Sequence, residues 1–89
     1  MLRVPKIWYS LGEYIHQDFL EQFPDFYMGL KDFLSEESEK DILGLKVYLV
    51  ALLKETDGIV CEHWNNSGAM IGFDSNTLRR HLSRICEDY

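Results

Sequence analysis

The chain has 89 residues, 46% of them hydrophobic, and nine basic against fifteen acidic side chains, which give a formal charge of −6. This composition is too apolar for a disordered chain, and the length allows a single domain with one core, which we assign to residues 1–89. The negative charge disfavours direct binding to nucleic acid, and no apolar run reaches the length of a signal sequence or membrane span, so we expect a cytoplasmic protein that binds no membrane.

The apolar residues in the first part of the chain recur at helical spacing. They predict one helix over residues 7–15 and another from Asp25 to about Ser35, because positions four, seven and eight residues along share one helix face. The stretch 17–23 could add a short turn before Pro24 ends it. The apolar faces consist of Ile7, Leu11, Tyr14 and Ile15 in the first helix and of Phe26, Leu30, Phe33 and Leu34 in the second.

The longest predicted helix covers residues 39–55. Ser38 is placed to cap its first turn, with Asp41 at the third helical position, as in a capping box. The apolar stripe of this helix is widened until little polar surface remains in the middle, which is typical of a helix at the centre of a bundle. The stripe contains Ile42, Leu45, Leu49, Leu52 and Leu53, and the additional apolar positions are Val47, Tyr48, Val50 and Ala51.

The last third of the chain combines one ambiguous segment with one clear helix. Residues 59–64 fit either a short helix or a strand, and we favour a helix because no partner strand is evident. A connector over residues 65–74 could hold a short extended piece near 69–73. Asp74 is placed to cap the final helix, whose buried face is Leu78, Leu82, Ile85 and Cys86. The fold is therefore predicted to be all-α, a small single-domain bundle of four or five helices.

The soft side chains do not match a metal site. Cys61 and His63 lie two residues apart and His81 and Cys86 lie five apart. Zinc ligands usually recur at spacings that let one turn present two of them to the same ion. We therefore expect neither a metal nor another cofactor. In a cytoplasmic protein the two cysteines are expected to be reduced and packed as small hydrophobic residues.

No catalytic motif stands out in the chain. His16 and Asp18 are two residues apart, so on one helix they would not share a face as an acid–base pair. No stretch matches a nucleophile elbow or a phosphate-binding loop. We therefore predict no catalytic residues and no enzymatic activity. Two alternatives stay open: a small ribonuclease that uses His16 with His63 or His81, and a structural adaptor subunit of a larger assembly.

The segment 32–41 has the clearest functional content, since it contains five acidic residues and one lysine. Acids near a helix N-terminus are favoured by the dipole whatever the function, but five exceed what one terminus needs. Exposed ion pairs contribute only ~0–1 kcal/mol, whereas close pairs in a desolvated interface couple by roughly 1.5–7 kcal/mol. We predict that a basic partner binds this segment through Asp32, Glu36, Glu37, Glu39 and Asp41.

Four stretches of the chain carry a resemblance to a known family, and the first of them is YIHQDF at 14–19. It is followed by LKDFLSEESE (30–39), ILGLKVYLVALL (42–53) and GFDSNTLRRHLSRI (72–85). This order resembles the small helical immunity proteins of bacterial contact-dependent growth inhibition systems, which carry an aromatic-x-His-Gln-Asp motif before a D-F-L segment. The resemblance covers most of residues 7–87. The chain departs from the pattern in its long N-terminal lead and in Phe19, where tryptophan is expected.

The resemblance implies a cytoplasmic inhibitor that forms a one-to-one complex with the C-terminal domain of a cognate toxin. Such toxins are commonly basic nucleases that act on tRNA, and the inhibitor covers the active site or the substrate cleft. The family motif maps onto Tyr14, His16, Gln17 and Asp18. We expect these four residues to form an internal network that defines the fold, with toxin binding left to the acidic exterior.

Overall fold

The computed structural model describes residues 2–89, which form six helices. They are α1 (Lys6–Tyr14), α2 (Phe19–Gln22), α3 (Phe26–Ser35), α4 (Glu39–Leu52), α5 (Asp57–Asn66) and α6 (Ser75–Asp88). No strand is assigned within residues 2–89, which confirms the predicted all-α fold. The helix count exceeds the predicted four or five because α2 is a separate single turn, and residues 69–73 form a connector with no strand pairing.

Side-chain caps fix where four of these helices begin. Asp25, Ser38, Thr56 and Asp74 each accept a hydrogen bond from a backbone amide in the first turn of α3, α4, α5 and α6, at 2.9, 3.2, 3.4 and 2.8 Å respectively. Each cap satisfies an amide that has no partner within its own helix. The predicted caps Ser38 and Asp74 are confirmed.

All six helices contribute to one apolar core, and two tryptophans join its parts. Trp8 of α1 and Trp64 of α5 pack edge to face with their ring centroids 5.9 Å apart. The indole of Trp8 donates to the carbonyl of His63 at 3.1 Å, and that of Trp64 donates to the carbonyl of Ile71 at 2.8 Å. Both rings therefore bury a large apolar surface while their only polar atom stays paired. The 69–73 connector is fixed to the core in this way.

Helix α4 does not lie at the centre of the bundle, contrary to the expectation from its apolar composition. One face packs on α1 and α6 and is buried. The opposite face is exposed, with Leu43 at 61%, Val47 at 64% and Val50 at 47% of their full accessible surface. Among residues 2–89 no other helix covers these side chains, since they remain open to solvent. The apolar residues of α4 therefore form two faces, one buried in the core and one exposed to solvent.

Arg79 holds the corner between α4 and α5. Its guanidinium donates to the carbonyl of Leu53 at 2.8 Å, to the carbonyl of Glu55 at 2.5 Å and to the carboxylate of Asp57 at 2.6 Å. The first two bonds satisfy carbonyls beyond the last turn of α4, and the third pairs with an acid at the N-terminus of α5. From the sequence alone, Arg79 is only one of the residues on the polar side of α6, and its hydrogen bonds to this corner are not evident.

We expect Arg79→Lys to lower the free energy of unfolding by about 1–2 kcal/mol and Arg79→Ala by about 2–3 kcal/mol. An ammonium group has no planar fork and cannot reach three acceptors that diverge from one guanidinium. Urea unfolding followed by circular dichroism measures both changes. Arg80→Ala, at an exposed neighbouring position of the same helix, is the control and should change stability little. An Arg79→Lys variant as stable as the native protein would contradict the proposed role of the planar guanidinium group.

Candidate interaction surface

The five predicted contact acids lie at the corner where α3 ends and α4 begins. Glu36 is the C-cap residue of α3, and Glu39 opens α4. Four of the five side chains are exposed and Glu37 is half-buried. The segment therefore presents its carboxylates to solvent, as a contact surface requires. The exposed acids are Asp32, Glu36, Glu39 and Asp41.

Helix dipoles explain only part of this charge. Glu39 and Asp41 lie in the first turn of α4, where a negative charge is favourable. Asp32 and Glu36 lie instead at the C-terminus of α3, in its last turn and at its C-cap, where basic residues are favoured. No basic residue lies in that last turn. Glu36 is exposed, and the dipole does not favour a carboxylate at this C-cap, so Glu36 carries more functional information than the acids of α4.

A hydrogen bond joins the acidic corner to the 14–19 stretch. The hydroxyl of Tyr14 donates to the carboxylate of Asp32. Burial raises the pKa of Tyr14 to about 12, and the hydrogen bond and charge of Asp32, with the charge of Glu36, act in the same direction. Tyr14 therefore remains a hydrogen-bond donor across the physiological pH range. One carboxylate of the segment is already engaged within the protein, which leaves Glu36, Glu39 and Asp41 as the exposed candidates for a partner.

The C-terminal end of α6 extends the acidic surface. Asp88 and Glu39 line the same groove of about 410 Å³, together with Ile42, Lys46 and Tyr89. Asp88 is oriented by the hydroxyl of Tyr27, which donates to its carboxylate. Sequence reasoning missed this residue, although the acidic pair at 87–88 was a signal. We call Asp32, Glu36, Glu37, Glu39, Asp41 and Asp88 the acidic surface.

The YIHQDF stretch forms a local corner and only part of the expected internal network. His16 is half-buried, and its Nδ1 accepts a hydrogen bond from the amide of Asp18 at 3.1 Å. Gln17 and Asp18 are exposed. Asp18 occupies the N-cap position of α2, but its side chain accepts no hydrogen bond from that helix. Tyr14 is bonded to Asp32 rather than to Asp18.

The three histidines occupy three different environments. His63 shares a hydrogen bond of 2.6 Å with the hydroxyl of Tyr48, whose pKa is raised by burial. His81 packs against Phe26 with the two ring centroids 4.5 Å apart. His16 sits at the corner between α1 and α2, bonded to a backbone amide. None of the three lines the groove that contains Glu39 and Asp88, and their partners do not overlap.

The cysteines and the other soft ligands remain dispersed. Within residues 2–89, no group of three or more His, Cys, Asp or Glu side chains is close enough to share a metal ion. Cys61 and Cys86 are both half-buried and unbridged. Burial raises the pKa of the Cys86 thiol, which keeps it protonated at neutral pH. Over the same residues, every helix is too short or too polar to traverse a lipid bilayer.

His81 should make stability depend on pH. Its pKa is lowered from 6.5, mainly by burial and further by Arg80 and Arg84, while Asp25 opposes the shift. Its Nδ1 is buried without a hydrogen-bond partner. The unfolded chain therefore binds the proton more readily than the folded protein, and stability falls as the pH drops below 6.5.

We expect His81→Phe, which keeps a flat ring against Phe26, to reduce the loss of stability between about pH 7 and pH 5. One proton limits the difference in slope to about 1.4 kcal/mol per pH unit. Urea unfolding at several pH values measures it. Identical pH profiles for the two proteins would show that His81 titrates alike in the folded and unfolded states.

No protein-family model, curated protein or solved structure matches this chain.

Proposed function

We propose that this protein is an immunity protein of a bacterial contact-dependent growth inhibition system. It acts in the cytoplasm, where it binds and neutralises the C-terminal domain of a cognate toxin in a one-to-one complex. The toxin domain is a cationic nuclease, of the kind that cleaves tRNA. The observation that carries the proposal is the exposed acidic surface, in which Glu36 stands at a helix C-terminus that disfavours a carboxylate. The resemblance of residues 14–19 and 30–39 to such inhibitors supports it.

The acidic surface suits the active-site cleft of a nuclease. Such a cleft holds arginine and lysine side chains at the positions of the substrate phosphates, and carboxylates can pair with them when water is excluded. A standard interface buries about 800 Å² on each partner. Opposite charges also accelerate the encounter, so association should be fast and weakened by salt. The inhibitor needs no catalytic residue, cofactor or nucleic-acid contact of its own.

The test is an inhibition assay with the basic C-terminal domain of the toxin encoded beside this chain. An equimolar amount of the protein should abolish cleavage of tRNA by that domain, and the two should elute together as a one-to-one complex. Cleavage that persists in the presence of excess protein would overturn the proposal. The protein incubated alone with tRNA is the control for the ribonuclease alternative, and it should leave the substrate intact. An adaptor subunit would give no protection when produced together with the toxin.

A further inference from the structure

A second groove runs along the exposed face of α4, on a side of the molecule chemically unlike the acidic surface. Its volume is about 820 Å³. One wall is the segment before α1, with Leu2 and Val4, and the other is formed by Leu43 and Val47. Exposed apolar side chains that form a continuous patch, rather than lying singly, mark an interaction site. Neither the fold nor the acidic surface accounts for this patch.

The charges around this groove have the opposite sign to the rest of the protein. Three basic residues line it, namely Arg3, Lys6 and Lys40, and no acidic residue lines it. The chain as a whole carries −6, so a basic rim does not follow from composition. An apolar groove with a cationic rim selects a segment with an apolar face and flanking carboxylates.

The floor of the groove leaves room for a helix to approach closely. Gly44 and Ala51 lie one above the other on α4, two turns apart, and both line the groove. A Cβ atom added at Gly44 would meet nothing within 4 Å, so the space above it is open. Small residues at such positions let a second helix lie close to the first. The shape therefore favours a helix rather than an extended strand.

A second copy of this chain is a poor occupant. Two-fold pairing would place this groove against itself, and its lining includes Arg3, Lys6 and Lys40 but no acidic residue. The basic rims of the two copies would then meet with no carboxylate of either groove between them. Like charges brought together in an apolar interface are costly.

We propose that the groove along α4 binds an amphipathic helix of another protein, with acidic side chains beside its apolar face. This inference does not depend on the proposed toxin inhibition, because it concerns a different surface with the opposite charge preference. The two surfaces adjoin at Leu43, which lines both grooves. One molecule could thus bind a cationic domain and an acidic helix side by side.

The experiment uses a labelled helical peptide of about fourteen residues, with leucines at helical spacing and glutamates on both flanks, and fluorescence anisotropy. A second peptide with lysine in place of glutamate is its charge control. We expect the acidic peptide to bind at least about tenfold more tightly than the basic one. Gly44→Gln, which places a side chain in the groove and has a higher helix propensity than glycine, should weaken binding by at least about tenfold. Gly58→Gln, at another open glycine, should leave binding unchanged.

Gly44→Ala separates occlusion from helix stability, since it should raise the melting temperature and leave peptide binding intact. Lys6→Glu with Lys40→Glu should reverse the preference between the two peptides. Failure of the acidic peptide to bind, equal binding of both peptides, or no effect of Gly44→Gln would each overturn the proposal. A homodimer in sedimentation that Gly44→Gln dissociates would assign the groove to a second copy instead.

Discussion

Replacing Gly12 with alanine is expected to lower the free energy of unfolding by about 3 kcal/mol or more, a large part of the total for a chain of this size. A Cβ atom at this position would lie 2.1 Å from the carbonyl oxygen of Ser67 and 2.7 Å from its hydroxyl oxygen. The first of these is a backbone atom, which cannot rotate away as a flexible side chain would. Helix α1 or the end of α5 would have to shift.

The end of α5 has little freedom to shift. Ser67 is only 3% exposed, and its hydroxyl donates to the carbonyl of Trp64 at 2.5 Å. The following residue, Gly68, adopts a φ of +95°, a conformation that keeps the chain turning back into the core. A displacement here would move Trp64, which is central to the packing of α1 against α5. The added methyl group therefore cannot fit without displacing packed parts of α1 or α5.

Urea unfolding followed by circular dichroism measures the effect, and Gly44→Ala is the matched control. The Cβ atom added at Gly44 meets nothing, so the same substitution there should raise the free energy of unfolding by about 0.5–1 kcal/mol through helix propensity alone. The two variants should thus move in opposite directions. A Gly12→Ala protein as stable as the native one would mean that α1 and α5 do not approach as closely as described.

Local features of this fold could be predicted from the sequence. The caps Ser38 and Asp74 were identified because a cap depends on residues within one turn of each other. The inner faces of α3 and α6 followed from apolar spacing for the same reason. The end of α3 at Ser35 also agrees with the prediction, which placed the acid-rich segment directly after it.

Features that depend on distant pairs could not be predicted in this way. Gly12 appears in the sequence only as a poor helix former, and its purpose lies in the approach to Ser67. Arg79 is one of three basic residues on α6, and only the folded chain shows which one reaches the corner between α4 and α5. The outward face of α4 looks like core because composition does not reveal which of two apolar faces has neighbours to cover it.

The same distinction between local features and distant contacts holds for the acidic surface. The acids of segment 32–41 could be predicted because they lie within ten residues of one another, and their exposure follows from a helix corner. The bond between Tyr14 and Asp32 and the position of Asp88 beside Glu39 required the packing of α1 and α6 around that corner. The charge of the surface was thus predictable, whereas its extent and the choice of free carboxylates were not.

The second large effect is expected when the charges of two exposed carboxylates in the acidic surface are reversed. Under the proposed function, Glu36→Lys combined with Glu39→Lys should weaken binding to the cationic toxin domain by about two orders of magnitude. Two close pairs at roughly 1.5 kcal/mol each account for about 3 kcal/mol, and each 1.4 kcal/mol corresponds to about a tenfold change in affinity. Glu37 is left intact because it is half-buried, so that its reversal would also disturb the fold. Titration calorimetry at two salt concentrations measures the loss.

The folding cost of this pair of reversals should be small. A lysine at position 39 opposes the dipole of α4, while a lysine at position 36 complements the C-terminus of α3, and the two effects of about 0.3–1 kcal/mol offset each other. Circular dichroism and the melting temperature should therefore stay close to those of the native protein.

The control is Glu55→Lys with Glu62→Lys, two exposed acids outside the acidic surface. Each reversal adds two charges, so both double variants change the net charge from −6 to −2. If the position of the carboxylates matters, only the Glu36 and Glu39 variant loses affinity and salt sensitivity. Equal losses in both would attribute binding to the overall field of the protein. No loss in either would remove Glu36 and Glu39 from the interface, and any inhibition of the toxin would then have to come from other residues of the protein.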